Sequence, residues 1–264
     1  MRQQELLEVK DMIMRLRGKM PRLGTRKVYF LIKAQLEEKG IKLGRDVLFH
    51  FLRAEGLLIK PKRSYVKTTN SKHWMKKYPN ASLALQVIKP EQLWVSDITY
   101  IRTVEGHNYL SLVTDVYSKK IMGYALEESL STTGPLKALQ MAIKNRRYDH
   151  ALMHHSDRGL QYCSAEYVQT LFKNNIKISM TQNGDPYENP IAERVNGILK
   201  YEFLLEELQN HLQAIEAIKS SIAIYNNDRP HMSCCMMVPE KAHQQSHLPL
   251  KKWNKKTRII KSEA

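Results

Sequence analysis

Apolar side chains recur with one period at the start of the chain and with another after about residue 90. In the first 60 residues they return every three or four positions, which predicts three amphipathic helices. The first two apolar stripes are Leu6, Leu7, Met12, Ile13, Leu16 and Val28, Leu31, Ile32, Leu36. Thr25 is placed to cap the second helix. The third helix, Arg45 to Glu55, is expected to turn Val47 and its apolar neighbours inward and its basic side chains outward.

Three short helices with a basic third helix indicate a helix-turn-helix-like DNA-binding module over residues 1–59. A small helical bundle whose charges only face the solvent fits the same pattern. Residues 60–90 form a basic connector in which lysines and arginines alternate with aromatic residues, a composition suited to phosphates and stacked bases. The candidate DNA contacts of this arm are Arg26, Lys27, Arg45, Arg53, Lys60, Lys62, Arg63, Lys67 and Lys72.

From Leu93 onward the apolar pattern becomes the alternation typical of strands. Three strands at hairpin spacing precede a helix over 134–144, a strand over 151–155, a helix over 164–174, a strand over 177–180 and a long helix over 190–207. Ser164 is expected to cap the middle helix. The order β-β-β-α-β-α-β-α predicts an α/β fold with a mixed five-stranded sheet flanked by helices. This core with a C-terminal helical extension occupies residues 91–250, and a basic tail follows over 251–264.

The distribution of charge follows the same divisions. The chain carries 42 Lys and Arg against 26 Asp and Glu, a net charge of +16, which indicates a polyanionic partner. Residues 1–90 contain 21 basic and 7 acidic side chains, residues 91–250 contain 15 and 18, and residues 251–264 contain six and one. The arm, connector and tail are therefore expected to hold phosphates, although solubility or non-specific contact with RNA would use the same charge.

Composition excludes several other classes of protein. The longest apolar runs fall far short of the roughly 18–20 residues that span a bilayer, and the amino terminus has no signal-peptide core. Three cysteines, Cys163, Cys234 and Cys235, are too few and badly placed for a disulfide framework or a zinc site. These features favour a globular protein of a reducing, cytoplasmic compartment without a membrane partner.

Three acidic residues stand where the predicted elements place functional groups. Asp97 interrupts an apolar strand, where an ionised carboxylate is costly unless it is paired or binds a metal. Asp157 directly follows the short fourth strand, and Glu193 lies in the first turn of the last predicted helix, with 35 residues between them. Converging carboxylates can bind two divalent metals for phosphodiester chemistry. Asp115 also interrupts a strand, but a turn follows it, so we expect Asp115 and Ser118 to bond to the backbone.

The segments around these acids are WVSDITYI, HHSDRGLQY and NGDPYENPIAERVNGILKYEF. They resemble the three signature blocks of the D,D-35-E transposase and retroviral integrase superfamily, which has a ribonuclease H-like fold. More narrowly, the chain is similar to the catalytic orfB product of bacterial insertion sequences of the IS-three family. Its helical module, connector and C-terminal block, YNNDRPHMSCCMMVPEKAH, share this resemblance. Glu188 is a departure, since family members often have aspartate there.

The resemblance implies a DNA transposase that nicks insertion-sequence ends and then transfers the freed strand. Asp97, Asp157 and Glu193 would be the catalytic residues and would bind two Mg²⁺ ions, for which Mn²⁺ substitutes. The implied partners are double-stranded DNA of the element ends and the target, further copies of the chain in a synaptic complex, and the orfA product or an orfA segment fused by frameshifting. The implied location is the nucleoid in the bacterial cytoplasm.

Six further residues are candidates for DNA contacts near the site: Lys200, His155, Arg158, Asn189, Arg194 and Asn196. Lys200 lies two helical turns after Glu193 and resembles the family's basic DNA contact, although a lysine that only aids solubility fits the same position. His155 can equally be a packed strand residue, and Asn189 is expected to cap the catalytic helix. Arg194 and Asn196 can face either DNA or solvent.

Two other functions stay open on the sequence. A ribonuclease H-type nuclease or resolvase would need the same clustered carboxylates but would leave only hydrolysed ends. A non-catalytic DNA-binding regulator of transposition would need only the basic arm, and three intact acids with their flanks count against it.

Overall fold

The computed structural model describes residues 3–60, 74–182, 188–204 and 206–248. Its first part is a module of three helices, α1 (Gln3–Lys19), α2 (Thr25–Glu38) and α3 (Arg45–Ala54). The module has its own hydrophobic core, to which each helix contributes buried residues such as Ile13, Ile32 and Leu48. This arrangement confirms the helical spacing read from the first 60 residues.

Two details of the module differ from the sequence prediction. Gly24 occupies the N-cap position of α2, without a capping side chain, and Thr25 is the buried first residue of the helix. Thr25 is turned inward against the helical core, so its hydroxyl does not serve as a cap. Val47 is half exposed. The buried face of α3 is instead formed by Leu48 and Leu52, which lie one helical turn apart.

The second part is a five-stranded sheet with helices on both faces. Its strands are β1 (Leu93–Thr103), β2 (Gly106–Asp115), β3 (Ile121–Glu127), β4 (Leu152–Ser156) and β5 (Ile176–Met180). Its helices are α4 (Thr133–Lys144), α5 (Leu160–Cys163), α6 (Ala165–Lys173), α7 (Pro190–Ile198), α8 (His211–Asn227) and α9 (Pro239–His243). None of the helices in the described ranges combines the length and apolar character needed to cross a bilayer.

The strand order across the sheet is β3-β2-β1-β4-β5. The three meandering strands pair antiparallel, and β4 and β5 add in parallel to β1, which confirms the mixed sheet. Helices α4 and α6 cover one face around Trp94 and Val113, whereas α7 and α8 cover the other around Leu110 and Leu112. Adjacent residues of β2 thus enter different cores, as strand alternation requires.

Gly123 of β3 allows α4 to lie close to the sheet. A Cβ atom at this position would stand 2.0 Å from the backbone oxygen of Ala138 and 2.6 Å from the backbone nitrogen of Ala142. Glycine is therefore required here by the close approach of two backbones.

The last predicted helix is shorter than the sequence suggested. The α-helical hydrogen bonds of α7 end at Ile198, and Leu199–Phe203 form a π-helical turn closed by the bond from Leu204 N to Leu199 O, 2.9 Å. The prediction of one helix to Glu207 was wrong because an apolar period does not distinguish the α from the π hydrogen-bond pattern. The prediction that Ser164 caps the helix after β4 is confirmed, since its Oγ accepts from Tyr167 N.

Candidate active site

The sheet brings Asp97 and Asp157 to neighbouring strands. The parallel register of β1 and β4 pairs Leu93 with Met153 and Val95 with His155, a constant offset of 60 residues. Asp157 directly follows β4, so the same offset places it level with Asp97. Neighbouring strands lie about 4.8 Å apart. The two carboxylates therefore meet at the point where β4 leaves the sheet.

The helix α7 brings Glu193 to the same place. Its next turn carries Asn196, which is buried and whose Nδ2 donates a 2.8 Å hydrogen bond to Oδ2 of Asp97. Glu193 precedes Asn196 by three residues and so lies on the same face of the helix. Glu193 itself is exposed at the surface. Three elements distant in sequence thus converge on one acidic cluster.

The electrostatics of Asp97 reflect this convergence. Burial raises the pKa of the Asp97 carboxyl to about 7, the negative charges of Asp157 and Glu193 add to the rise, and hydrogen bonds from Asn196 and the Ile98 backbone partly oppose it. Oδ1 of Asp157 accepts a 2.9 Å hydrogen bond from the backbone N–H of Gly159, which fixes that side chain at the strand end. Mutually repelling carboxylates of this kind are stabilised when a cation lies between them.

The chemistry of these side chains fits magnesium, which prefers carboxylate oxygens and retains several waters. Within the described residues, no three His, Cys, Asp or Glu side chains are close enough to bind a single metal ion together. A two-metal site does not require such a triple, because each ion needs one or two carboxylates and takes its other ligands from water and phosphate. The pair Asp97 and Asp157, with Glu193 beside it, matches that requirement.

Two buried histidines of β4 support the site from beneath. Nε2 of His154 lies 2.7 Å from Ser96 Oγ and 2.9 Å from the Tyr167 hydroxyl, and burial lowers its pKa to about 3. His155 is also buried, with Nδ1 2.8 Å from Ser179 Oγ and Nε2 3.1 Å from the backbone oxygen of Glu188. His155 therefore has the packed position that the sequence left open, and it holds residue 188 just ahead of α7.

Asn189 does not cap α7 with its side chain, so that prediction was wrong. Its Nδ2 instead donates a 2.9 Å hydrogen bond to the backbone oxygen of Ser96, one residue before Asp97. Since Asn189 is buried and bonded to β1, it sets the start of α7 against the strand. The Glu188 carboxylate accepts from the backbone N–H of Gln182, and residues 183–187 between them lie outside the described residues.

Lys200 lies on the π-helical turn and faces β1. Its Nζ stands 4.1 Å from the centroid of the Tyr100 ring and 3.4 Å from Thr99 Oγ1. Burial lowers the pKa of Lys200, and the charge of Asp97 partly opposes this. Sequence reasoning missed Thr99 and Tyr100, although their signal was present, since they follow Asp97 by two and three residues on the same strand.

The remaining candidates near the site divide by exposure. Arg158 is partly buried directly after Asp157, and Arg194 is exposed, with an NH2 3.9 Å from Glu202 Oε1. Asn196 contacts Asp97 and is buried, so it does not face solvent, which was one of the two positions that the sequence left open.

The basic arm is only partly described. Arg26, Arg45, Arg53 and Lys60 are exposed, whereas Lys62, Arg63, Lys67 and Lys72 lie outside the described residues. Lys27 differs from the others. It is half-buried and faces Arg229, Glu202 and Arg194 of the second part of the chain, so it is not on the outward surface of the helical module.

Asp115 has the structural role that the sequence predicted. Its Oδ1 accepts from Glu91 N at 2.7 Å, and its Oδ2 accepts from the Ser118 backbone N–H at 2.8 Å and from the Ser118 hydroxyl at 2.7 Å. The carboxylates of Asp115 and Glu91 also enclose His243 of α9. This buried cluster fastens the C-terminal block to the end of β2, away from the acids around Asp97.

Comparison with known proteins agrees with the sheet. Sequence profiles described as Integrase core domain match residues 88–186 and 174–239. A chain in the cryo-EM structure of the simian T-cell lymphotropic virus intasome, in complex with the PP2A regulatory subunit B56 gamma, superposes with a TM-score of 0.53 at 17% identity. The superposition covers 86% of this chain and 76% of that chain. The sequence profiles and the fold therefore define an integrase-core protein.

Curated relatives identify the family within that class. The chain is 36% identical over 245 residues to a 31 kDa protein of insertion element IS600 from Shigella sonnei, which covers 89% of this chain and 90% of the relative. It is 30% identical over 218 residues to the transposase InsF of insertion sequence IS3fB from Escherichia coli, which covers 80% and 75%. This chain belongs to the IS3 family of insertion-sequence transposases.

Proposed function

We propose that this protein nicks double-stranded DNA at the ends of an insertion sequence and transfers the freed 3′ end to a second phosphodiester, with Asp97, Asp157 and Glu193 binding two Mg²⁺ ions. The observation that carries this proposal is the convergence of the three acids, from β1, the end of β4 and the first turn of α7. When bound, the ions would activate the attacking oxygen and neutralise the charge on the leaving oxygen. Mn²⁺, with the same preference for oxygen ligands, would substitute.

The residues around the acids hold them and the DNA in place. Asn196 orients the Asp97 carboxylate through its 2.8 Å hydrogen bond. Lys200, held between Thr99 and the Tyr100 ring, is positioned to bind a backbone phosphate next to the acids. His155 and Asn189 act indirectly, since they fix the segment that leads into α7.

The wider function requires partners that the acids alone do not supply. Joining two element ends requires both ends to be held together, so we propose self-association in a synaptic complex. The exposed basic residues of the helical arm would bind the DNA ends and the target. An orfA product, or an orfA segment joined by frameshifting, would add further recognition of the ends. Action on chromosomal DNA places the reaction at the bacterial nucleoid.

Supercoiled plasmid carrying the element ends, incubated with the full chain and Mg²⁺, tests the proposal. We expect Asp97→Asn, Asp157→Asn and Glu193→Gln each to retain DNA binding and to lose nicking and strand transfer at least about 100-fold, because charge stabilisation by the ions is lost. Asp149→Asn, at an exposed acid outside the site, is the matched control. Full activity of Asp97→Asn would refute the assignment.

Analysis of the products separates the alternatives. Joined strands support a transposase, whereas hydrolysed ends alone would indicate a ribonuclease H-type nuclease or resolvase. DNA binding that weakens with salt but shows no Mg²⁺-dependent chemistry would indicate a regulator. Removal of the metal by a chelator should abolish both nicking and joining, and added Mn²⁺ should restore them.

A further inference from the structure

The helical module meets the catalytic core at the π-helical turn that continues the helix of Glu193. The backbone N–H of Arg22 donates to the backbone oxygen of Glu202 at 3.4 Å. Phe203, the next residue, packs against the core of the module and also against the core between the sheet and α8. The module therefore contacts the π-helical turn Leu199–Phe203, which directly follows α7, the helix of Glu193.

Glu202 is already engaged at this junction. Arg229, which is buried, donates to both of its carboxylate oxygens at 2.9 Å. The NH1 of Arg229 lies 2.9 Å from Nε2 of His231. Burial and the charge of Arg229 lower the pKa of His231 to about 2, so the histidine is neutral and adds no charge. Arg229 and Glu202 thus form a bidentate ion pair whose net charge is zero.

Two further basic side chains, Arg194 and Lys27, share the same carboxylate with Arg229. Arg194 reaches only within 3.9 Å of Glu202, and its side chain is 70% exposed. Lys27 of α2 is half-buried beside Arg229, Glu202 and Arg194, and within the described part of the chain no ion pair joins it to an acid. Burial and the charges of Arg229 and Arg194 lower the pKa of Lys27 to about 7, although the charge of Glu202 opposes the fall. The junction therefore places three basic side chains around one carboxylate. A half-buried ammonium without a counter-ion is costly, and such groups normally acquire an anionic partner.

We propose that this junction binds a phosphate of the DNA backbone, held by Lys27 from the helical module and by Arg194 from the catalytic helix. This inference rests on the proposed DNA transposase function. An ammonium from one element and a guanidinium from another, both beside one carboxylate, are well suited to a phosphate, which would supply the missing negative charge. Arg194 directly follows Glu193, so the same DNA strand would be held by the module and by the helix of the active site.

The proposal predicts opposite effects of one substitution on stability and on DNA binding. Lys27→Met keeps most of the apolar stem but removes the charge that has no counter-ion. The DNA-free protein should then unfold at a higher temperature than the wild type. Its affinity for DNA should fall, and the slope of log affinity against log salt should become shallower by about 0.9, the value for one lost phosphate contact.

Fluorescence anisotropy of a labelled duplex containing an element end, with the full chain at several salt concentrations, measures these slopes. Lys27→Met and Arg194→Met are compared with Lys33→Met, a control on α2 whose lysine is exposed and lies 3.5 Å from Glu37. We expect shallower slopes for the first two and a slope close to that of the wild type for Lys33→Met. Thermal unfolding of each variant verifies that it is folded.

The possible failures are distinguishable. Wild-type slopes for Lys27→Met and Arg194→Met, with normal DNA binding by the wild type, would overturn this inference and leave the transposase proposal standing. Absence of DNA binding by the wild type would overturn both. If inorganic phosphate raises the unfolding temperature of the wild type but not of Lys27→Met, while the DNA slopes stay equal, the site takes a free anion and the assignment to DNA is wrong.

Discussion

Nδ2 of Asn196 donates a 2.8 Å hydrogen bond to Oδ2 of Asp97, and this bond joins the helix that carries Glu193 to the central strand of the sheet. Asn196 is buried, so the bond is shielded from competing water. Because Asn196 donates to Asp97, the bond favours the ionised carboxylate that binds a cation, and it partly opposes the rise in the Asp97 pKa that burial causes. The relative position of Asp97 and Glu193 therefore depends on an uncharged side chain.

Asn196→Ala should lower nicking and strand transfer about 10- to 100-fold, the range expected when a partner that orients a metal ligand is lost. The Mg²⁺ concentration for half-maximal activity should rise, whereas the affinity for DNA should change little. Asn227→Ala is the matched control, since Asn227 is exposed on α8 and its amide bonds only to the Ala223 backbone oxygen. An unchanged Mg²⁺ requirement in Asn196→Ala would contradict the positioning role.

Tyr100 is expected to position Lys200 through its ring. Tyr100→Phe keeps an aromatic face under Nζ and should retain activity, whereas Tyr100→Leu should lose roughly 2- to 20-fold in strand transfer, the equivalent of a cation–π contact. Rates for Lys200→Ala and for the double variant complete a mutant cycle. If the losses from Tyr100→Leu and Lys200→Ala simply multiply, the two residues act independently and the prediction fails.

The strands of the sheet could be predicted from the sequence because apolar and polar residues alternate regularly along them. Each strand ends where that alternation stops. The sequence also singled out Asp97, Asp157 and Glu193. Asp97 interrupts an apolar strand, where an unpaired carboxylate is costly, Asp157 directly follows a strand, and Glu193 lies in the first turn of a helix. The role of Asp115 was predicted as well, because a turn signal directly follows it.

The contacts between elements could not be predicted in the same way. Nothing in the spacing of α7 shows that Asn196 turns to β1, or that Asn189 bonds to Ser96 in place of the helix end. The location of Lys27 depends on how the helical module packs against Glu202, a relationship between residues 175 positions apart. Hydrophobic pattern specifies which face of a helix is buried, but it does not specify which neighbour covers that face.

His243 provides a test of the C-terminal attachment through pH. Its Nε2 lies 3.0 Å from Glu91 Oε1 and its Nδ1 lies 3.6 Å from Asp115 Oδ2, all three side chains being buried. Burial lowers the pKa of His243, but hydrogen bonds to Asp115 and Glu91 outweigh burial and raise the pKa above its ordinary value. The charged imidazolium is therefore the form that stabilises the folded state.

A raised histidine pKa contributes stability that is fully present below the pKa of the unfolded chain and is lost as the pH rises through the folded pKa. His243→Gln removes the imidazolium that lies between two buried carboxylates, of which Glu91 keeps Arg146 at 3.9 Å, and should cost about 3–5 kcal/mol at pH 6. The difference from the wild type should shrink by pH 9, as followed by urea unfolding at both pH values. His50→Gln, at an exposed histidine of α3, should show no such trend. A pH-independent loss in His243→Gln would mean that the imidazole is neutral in the folded protein.

Gly123 tests the close approach of α4 to β3. In Gly123→Ala the new Cβ would stand 2.0 Å from the Ala138 backbone oxygen, and because the obstacle is backbone, the helix has to move. We expect a loss of about 3 kcal/mol, or roughly 6–12 °C in the unfolding temperature. Gly18→Ala in α1, with no atom within 4 Å of the added Cβ, should instead stabilise the protein by up to about 1 kcal/mol.

Because α4 covers the face of the sheet opposite α7, nicking by folded Gly123→Ala should stay near the wild-type rate at low temperature. An unfolding temperature equal to that of the wild type would show that α4 does not contact β3 at this distance.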